Sequence, residues 1–308
     1  MLDLRRLRLL HELHHRGTIA AVADALRFTP SAVSQQLAVL EREAGVPLLE
    51  RAGRGVRLTD AGLVLARHAA DLLDRADRAE AELAAASQAV AGRGRIATFQ
   101  SPALNLAVPA LARLAREAPQ LRTELVDAEP EVSLPALALG DVDLVLADEW
   151  EHQSLSRPPG VDRHDLHRER VRLVLPHDHA LVDEHPRAVP LRKLRDAVWT
   201  GSPPGGAWAA MVERTCRALG GFDPEIRHRT NDAVVSLALV AQGLAVTLLP
   251  DLVAPERHPG VVVRDLAEGT THRTILAATR TADARRPSVQ ALLAAVRAEA
   301  TALGWNPA

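Results

Sequence analysis

The chain has 308 residues, of which 47% are hydrophobic and 25% are charged, and its formal net charge is −2. This composition excludes intrinsic disorder and collagen-like structure, and the length predicts roughly two domains. The single cysteine, Cys216, excludes an intrachain disulfide and a cysteine-based metal site. Arginines and histidines interrupt the N-terminal segment, and no stretch reaches the roughly 18 uninterrupted apolar residues of a membrane span. We therefore expect a cytoplasmic protein without a membrane partner.

The charge distribution and the motifs exclude further classes of function. The first 60 residues hold nine arginines against seven acidic residues, and the rest of the chain is net acidic. This distribution disfavours a histone-like coat of positive charge and allows a small positive face in the N-terminal segment. The sequence has no Gly-x-Ser-x-Gly elbow, phosphate-cradling Gly-Lys-Ser/Thr loop or dinucleotide fingerprint. We expect no catalytic residue and no cofactor.

The first 58 residues predict three short helices and a hairpin. Apolar residues recur at helical spacing on both sides of Gly17. Thr29 followed by Pro30 is a helix-start signal, so a third helix is expected to run to about Glu43 over the apolar stripe Val33, Leu37 and Leu40. The stretch from Leu48 to Leu58 predicts the hairpin.

Helix, turn and helix is the arrangement in which the second helix enters the major groove of DNA. With its stripe buried, the third helix turns a short polar face outward, in which Gln suits adenine and Ser suits base edges or phosphate. The residues at its start and on or beside this face are Pro30, Ser31, Ala32, Ser34, Gln35, Gln36, Ala38 and Arg42. Phosphate or minor-groove contacts are predicted for Thr18 and for the hairpin arginines Arg51, Arg54 and Arg57. The alternative is a three-helix interaction module with a solvated polar face.

One long helix is predicted from Thr59 onward, because no breaker separates Gly62 from Gly92. At 1.5 Å per residue it would be roughly 45 to 50 Å long. Apolar positions recur at spacings of 3 and 4, and the predicted dimer contacts among them are Leu65, Leu72, Ala76 and Leu83. A helix this exposed, with many alanines in its seam, predicts a second such helix as its partner.

After Gly94 the pattern alternates between strands and helices, which predicts an α/β fold with mostly parallel sheets. A sheet change near Leu166 to Glu169 and a return near Arg280 indicate two lobes joined by two crossings. The predicted segments are a DNA-binding domain (1–58), a long helix (59–92) and a two-lobed α/β domain (93–308). We assign residues 93–166 and 281–308 to its first lobe and residues 167–280 to its second.

Several segments resemble LysR-type transcriptional regulators. They are Gly17-Thr-Ile-Ala-Ala-Val-Ala-Asp-Ala-Leu26, Thr29-Pro-Ser-Ala-Val-Ser-Gln-Gln-Leu37, Gly45-Val-Pro-Leu-Leu-Glu-Arg51 and Arg57-Leu-Thr-Asp-Ala-Gly62. The resemblance implies a winged helix-turn-helix, a linker helix that pairs with another subunit's, and a two-lobed effector domain similar to type 2 periplasmic binding proteins. It also implies double-stranded operator DNA, a small-molecule effector and a homodimer or homotetramer, with RNA polymerase as a further candidate partner. Many members carry Arg where this chain has Gln35, so a different base contact is expected.

Hydroxyls follow several predicted strands of the two lobes. Phe99, Gln100 and Ser101 end one strand and open a helix, which is a natural carboxylate site. Thr200, Gly201 and Ser202 follow another strand, and Thr247 lies in a segment that resembles the family's Gly-x-Gly-x-x-x-Leu-Pro. The resemblance implies a small-molecule site lined by these residues. Asp148, Glu149 and Trp150 are predicted to face a cationic or aromatic part of a ligand. Alternatively, the hydroxyls only cap helices and the acids are solvated.

The remaining reactive side chains point to no further site. The histidine groups His11, His14, His15 and His177, His179 lack the carboxylate or thiolate partners of a metal site, so we expect surface histidines. Two other functions stay open. One is a cytosolic small-molecule-binding protein whose N-terminal helices only dimerise, and the other is an enzyme that uses the cleft, for which an acid-base-nucleophile set is missing.

Overall fold

In a computed structural model the chain divides into two compact units, residues 1–89 with 285–287 and residues 90–284 with 288–308. The structure describes residues 2–26, 28–53, 55–87, 90–151, 153, 155 and 158–305. Within these ranges, every helix is either too short or too polar to cross a bilayer.

The first unit contains the helices and the hairpin that the sequence predicts. Its elements are α1 (Leu4–Arg16), α2 (Ile19–Leu26), α3 (Pro30–Ala44), β1 (Leu49–Ala52), β2 (Gly55–Leu58) and α4 (Asp60–Ser87). The Thr29 hydroxyl caps α3 by accepting a hydrogen bond from the Ala32 amide. Gly17 and Gly45 end α1 and α3 in the left-handed region, at φ of 75° and 72°, which costs glycine little.

One apolar core holds the first unit together. The predicted stripe of α3, Val33, Leu37 and Leu40, is at most 1% exposed and packs with leucines of α1. The first turns of α4 add Ala66 and Ala69, and Leu65 is half-buried against the same core. Leu65 therefore packs within its own chain. Burying such side chains stabilises the unit by about 1.5 to 3 kcal/mol for each large aliphatic group.

The hairpin is attached to the start of α4 by a close backbone approach. The Thr59 hydroxyl donates to the Pro47 carbonyl at 2.8 Å and accepts from the Gly62 amide at 3.0 Å. A Cβ at Gly62 would lie far inside van der Waals contact of the Leu48 carbonyl oxygen. Only glycine fits this position without movement of the backbone.

The second unit alternates strands and helices. Its strands are β3 (Gly92–Thr98), β4 (Leu121–Asp127), β5 (Leu144–Trp150), β6 (Val161–Pro176), β7 (Ala188–Val189), β8 (Val198–Gly201), β9 (Glu225–Arg229), β10 (Thr247–Pro250), β11 (Val261–Leu266) and β12 (Thr271–Arg280). Its helices are α5 (Gln100–Pro102), continuous through a π-helical turn (Ala103–Ala107) with α6 (Val108–Glu117), and then α7 (Pro130–Ala138), α8 (Ala180–Glu184), α9 (Ala207–Thr215) with a π-helical turn (Cys216–Gly220), α10 (Ala233–Ala241) and α11 (Pro287–Ala302). Short 3₁₀ turns lie at Leu191–Leu194, Asp251–Val253, Pro255–Arg257 and Thr281–Asp283.

The main sheet has the strand order β4-β3-β5-β12-β6-β11-β7, with β10 also paired to β6 and with β8 and β9 as a separate pair. Strand β3 pairs in parallel with β4 and β5, whereas β12 runs antiparallel to both β5 and β6. The expectation of mostly parallel sheets is therefore wrong for the centre of the unit. The reason is that β6 carries the chain out of one lobe and β12 carries it back beside β6.

Two hydrophobic cores define the two lobes. Strand β6 contributes Leu166 to the first core and Val171 to the second, so the outward crossing lies between them. The return crossing is not near Arg280, because Arg280 pairs with Val161 at the first-lobe end of β6, and Ile275 belongs to the first core. The chain returns at the start of β12, where polar residues interrupt the apolar pattern.

Gly62→Ala is expected to destabilise the first unit by about 2 kcal/mol or more, because the added methyl group must push the backbone of the hairpin away. Gly55→Ala is the matched control, since a Cβ there would lie 3.8 Å from the nearest atom, the Ala52 carbonyl oxygen. Urea unfolding of the full chain measures both variants. Equal midpoints for the two variants would contradict the close approach.

Candidate functional site

Helix α3 turns a polar face to solvent. Ser31, Ser34, Gln35 and Arg42 are exposed, whereas the stripe on the opposite side is buried. The hydroxyl of Ser34 donates to the Pro30 carbonyl at 2.9 Å, and the hydroxyls of Ser31 and Thr29 lie 3.0 Å apart. Gln35 carries the longest neutral side chain on this face. The face matches the one that the sequence predicts.

Side chains at the flanks of α3 have partners within the unit. The Gln36 oxygen accepts from the Arg6 Nε at 3.0 Å, so this amide is directed towards α1. Ala32 is half-buried, and Pro30 is exposed at the first position of α3. The exposed Thr18 caps α2, because its hydroxyl accepts from the Ala21 amide at 3.1 Å. Of these, Gln36 has the least freedom to contact another molecule.

The hairpin presents arginines and is joined to α3. One carboxylate oxygen of Glu41 accepts from the amides of Leu48 and Leu49, at 2.9 and 3.0 Å. Arg51 is exposed on β1, and Arg57 on β2 lies 2.8 Å from its cross-strand neighbour Glu50. Arg54, the third predicted contact of the hairpin, lies outside the described residues.

Helix α4 exposes large apolar side chains along its length. Leu72 and Leu83 are 45% and 74% exposed, and Ala76 is half-buried. Exposed leucines that repeat along one side of a helix normally pack against another helix. The described part of α4 thus has an apolar side that its own chain leaves uncovered.

A cavity of about 310 Å³ lies between the two lobes of the second unit. The first lobe contributes Phe99, Gln100, Ser101 and Asp148 to its lining, and the second lobe contributes the Ser202–Trp208 segment. The rest of the lining includes Glu129, Pro130, Glu131, Trp150 and Pro250. A volume of this size is at the lower end of small-molecule sites.

One buried guanidinium organises the floor of the cavity. Arg273 on β12 is 3% exposed, and its Nε and Nη2 atoms donate to one Glu169 oxygen at 3.0 and 2.6 Å. Its Nη1 donates to Asp148 at 3.3 Å, and its Nη2 also donates to the Ser101 hydroxyl at 3.1 Å. Glu169 and Trp150 are its cross-strand neighbours on β6 and β5. A guanidinium with paired carboxylates is the arrangement that allows a charge to be buried.

The described lining of the cavity contains three acidic side chains and one basic side chain, that of Arg273. Burial raises the pKa of Asp148 to about 6, although Arg273 acts in the opposite direction. Burial, together with repulsion from Asp148 and Glu131, raises the pKa of Glu129 to about 7. In both cases the cost of burying a charged carboxylate exceeds the stabilisation that Arg273 provides.

A hydrogen-bonded contact connects the lobes at the rim of the cavity. The Gln100 side chain donates to Asp232 at 2.6 Å and accepts from the Ala233 amide at 2.9 Å. Asp232 itself caps α10 by accepting from the Val234 amide. The start of the first-lobe helix is therefore bonded to the start of a second-lobe helix.

Four predicted ligand residues do not line the cavity. Thr200 and Thr247 are fully buried, and the Thr247 hydroxyl donates to the Thr200 carbonyl at 3.1 Å. Gly201 packs against Ala209 of α9. Glu149 accepts from the Leu155 amide and from Arg163, at 3.0 and 2.7 Å, outside the lining. For these residues the contacts are structural ones within the lobes.

Sequence reasoning missed Arg273, Glu129 and Trp208. Arg273 follows His272 in a segment that resembles the polar edge of a strand, and its partners lie far away in the chain. The one signal that could have drawn attention to it is a charged residue at the start of an apolar run. Cys216 is fully buried, and burial raises its pKa to about 12, so its thiol stays protonated.

Two family models match the chain. The model described as "LysR substrate binding domain" matches residues 87–301. The model described as "Bacterial regulatory helix-turn-helix protein, lysR family" matches residues 4–63. Together they include α1 to α3, the hairpin and nearly all of the second unit.

Relatives and solved structures agree with these matches. The HTH-type transcriptional regulator XapR of Escherichia coli K12 is 26% identical over 266 residues, which cover 86% of this chain and 88% of XapR. The fold is similar to a full-length variant of OxyR from Pseudomonas aeruginosa, with a TM-score of 0.67 at 21% identity over 96% of this chain and 98% of OxyR. It is also similar to full-length CbnR complexed with its target DNA, with a TM-score of 0.54 at 23% identity over 97% and 100% of the two chains.

The difference in unfolding free energy between Asp148→Asn and the parent is expected to shift in favour of the variant as the pH rises from 4 to 7. The folded state holds the Asp148 proton more tightly than the unfolded state, so ionisation between pH 4 and about 6 destabilises the fold. The amide avoids this cost, which is about 1 to 3 kcal/mol at pH 7. Urea unfolding at several pH values measures the difference, with Asp183→Asn on the exposed side of α8 as the control. A difference between variant and parent that does not change with pH would contradict the assignment.

Proposed function

The chain belongs to the LysR family of bacterial transcriptional regulators, and from this premise we propose that it reads operator DNA with α3 and that a small molecule in the interlobe cavity controls this binding. One observation carries the proposal. The exposed polar face of α3 is held outward by a buried apolar stripe, within a segment that matches the family's helix-turn-helix model. The solved complex of CbnR with its target DNA supports double-stranded operator DNA as the partner.

The proposed roles follow from the position and chemistry of each side chain. Gln35 reads an adenine through its paired donor and acceptor, and Ser31 and Ser34 contact a base edge or a phosphate. Phosphate contacts are assigned to Thr18 at the start of α2 and to Arg42. The hairpin arginines contact the backbone or the minor groove. Three further predicted residues act mainly within the protein. Pro30 begins α3, Ala32 is half-buried beside it, and Gln36 bonds α3 to Arg6 of α1.

The apolar side of α4 supports pairing with a second copy of the chain. Leu72 and Leu83 are too exposed to stabilise the monomer, and burying them against an equal helix removes that surface from water. A homodimer or homotetramer then presents several α3 helices to half-sites about 34 Å apart or multiples of that distance. We place this assembly in the cytoplasm, where it has access to DNA, and we add RNA polymerase as a candidate partner.

The interlobe cavity supports binding without turnover. The Ser101 hydroxyl faces the guanidinium of Arg273, which cannot serve as a base because it stays protonated. The Ser202 hydroxyl accepts from the Ala209 amide at 2.8 Å. A ligand that binds one arrangement of the lobes more tightly shifts the population towards it, and the Gln100 contact between the lobes is the bond that such a shift would change.

Gln35→Ala is expected to weaken binding by about 1 to 3 kcal/mol at one base pair of the site and to leave affinity for random DNA unchanged. Arg51→Ala is expected to weaken binding to all sequences and to lower the salt dependence by about one counterion. Titration of DNA fragments from beside the gene, each with one base pair changed, measures both effects over a range of salt concentrations. A uniform loss across sequences for both variants would contradict the roles given to the two side chains.

Leu72→Glu is expected to convert the assembly to a smaller species, because a carboxylate on the shared apolar side would be buried without a partner. His68→Glu, at another exposed position of α4, is the matched control and should leave the assembly intact. Light scattering of the full chain at micromolar concentration gives the mass, and circular dichroism verifies folding. An unchanged mass for a folded Leu72→Glu protein would remove α4 as the contact between subunits.

A further inference from the structure

The charges around the interlobe cavity assign a chemical class to its ligand. We infer that the cavity binds a small organic cation, a protonated amine or amidine attached to a flat apolar body. The inference rests on the proposed function only in taking this cavity as the effector site. It opposes the carboxylate that the sequence predicts next to Ser101.

The cavity has more negative charge than it has cations to balance. Glu129, Glu131 and Asp148 line it, and Arg273 is the one cation among its described lining residues. The charge of Arg273 is already compensated by Glu169, which receives two of its hydrogen bonds. Asp148 therefore shares this one guanidinium with Glu169, and neither Glu129 nor Glu131 has an ion-pair partner among the described residues.

Two of these carboxylates have oxygens that are free to bind a ligand. Asp148 is 7% exposed, and among the described residues only its Oδ2 receives a hydrogen bond, which comes from Arg273. The half-buried Glu129 makes neither a hydrogen bond nor an ion pair with any described side chain. A buried carboxylate oxygen beside a cavity binds a donor from a ligand or from water. A charged ammonium or amidinium supplies such donors together with the missing charge.

Two of the groups that would bind an anion, the Ser101 hydroxyl and the start of α10, are already bonded within the protein. The Ser101 hydroxyl accepts from Arg273, and the first amides of α10 donate to the side chains of Gln100 and Asp232. A ligand carboxylate at either group would have to displace these bonds and would also lie in a cavity lined by Asp148 and Glu129. Burial is the main reason that the pKa of Glu129 is raised, and repulsion from Asp148 and Glu131 adds to the effect. A cation relieves this repulsion, and an anion adds to it.

The walls of the cavity suit a flat cation. The Trp208 ring lines it, and its Nε1 donates to the Leu248 carbonyl at 2.9 Å, which fixes the plane of the indole. The Arg273 guanidinium lies 5.3 Å from the ring of Trp150 and 5.7 Å from the ring of Phe99. These faces already stabilise one cation, and aromatic faces attract a ligand cation in the same way. Pro203 and Pro204 complete an apolar wall for the rest of the ligand.

Three compounds of nearly equal shape test the sign of the charge: benzamidine, benzamide and benzoate. They are the first set in a larger panel of compounds. In this panel each cationic arylamidine or arylalkylamine is matched by a neutral and an anionic compound of similar shape. Binding to the full chain is measured by calorimetry and by the rise of the thermal midpoint. We expect cations of the panel to bind at least tenfold more tightly than their counterparts. Anions that bind as tightly as their cations, or a panel in which no cation binds, would overturn the inference.

Variants test whether the named carboxylates carry the preference. Asp148→Asn and Glu129→Gln should each weaken binding of the best cation at least tenfold and reduce the discrimination against its anionic counterpart. Glu129→Gln is less liable to disturb the fold, because Glu129 bonds to no other described side chain. Asp183→Asn, outside the cavity, should leave the affinity unchanged. Equal cation affinity in the parent and in a folded Glu129→Gln protein would contradict the assignment.

Failure of this inference can be told apart from failure of the proposed function. A protein that discriminates operator DNA but binds anions in the cavity keeps its proposed function and loses the ligand class. A protein that binds the cation with the expected dependence on Glu129, but whose affinity for DNA is the same with and without it, keeps the ligand class and loses the proposed control.

Discussion

The burial of Val33, Leu37 and Leu40 is the constraint on which the DNA-binding activity depends. These side chains fix the rotation of α3 about its own axis, and this rotation decides that Gln35 and its neighbours face outward. A helix turned by one third of a revolution would present leucines to DNA and bury glutamine without partners. The Thr29 cap and the Glu41 bonds to the hairpin hold the two ends of the same helix. The packing of the core therefore determines which side chains α3 exposes to solvent.

A second constraint acts in the two-lobed unit, where Arg273 connects strands of the sheet to the start of α5. Its partners, Asp148, Glu169 and Ser101, come from three separate parts of the chain. Because breaking a buried ion pair leaves a charge without compensation, this cluster resists change at the junction of the lobes. The cavity beside it can respond to a ligand through Gln100, whose bonds span the lobes. Under the proposed function, the bonded floor stays in place and the bond at the rim changes when a ligand binds.

Much of the fold could be predicted from the sequence, because helix caps and apolar spacing are local signals. The Thr29 cap, the stripe of α3 and the hairpin after it all follow from neighbouring residues. Six predicted ligand residues line the cavity, namely Phe99, Gln100, Ser101, Asp148, Trp150 and Ser202. The role of Arg273 could not be found in this way, since it is 172 residues from Ser101 and its partners are brought together only by the pairing of distant strands. Long-range pairing also explains why the predicted return crossing is wrong.

The most direct test of the account is the affinity of the purified full chain for duplex DNA from beside its own gene, compared with random duplex of equal length and composition. Both are titrated from low to physiological salt, because only the sequence-dependent part of binding survives as counterion release weakens. The account predicts that the chromosomal fragment binds at least 10³-fold more tightly near physiological salt, in the range of specific regulators. Equal affinity for the two duplexes at every salt concentration would contradict a base-reading α3 and the function built on it.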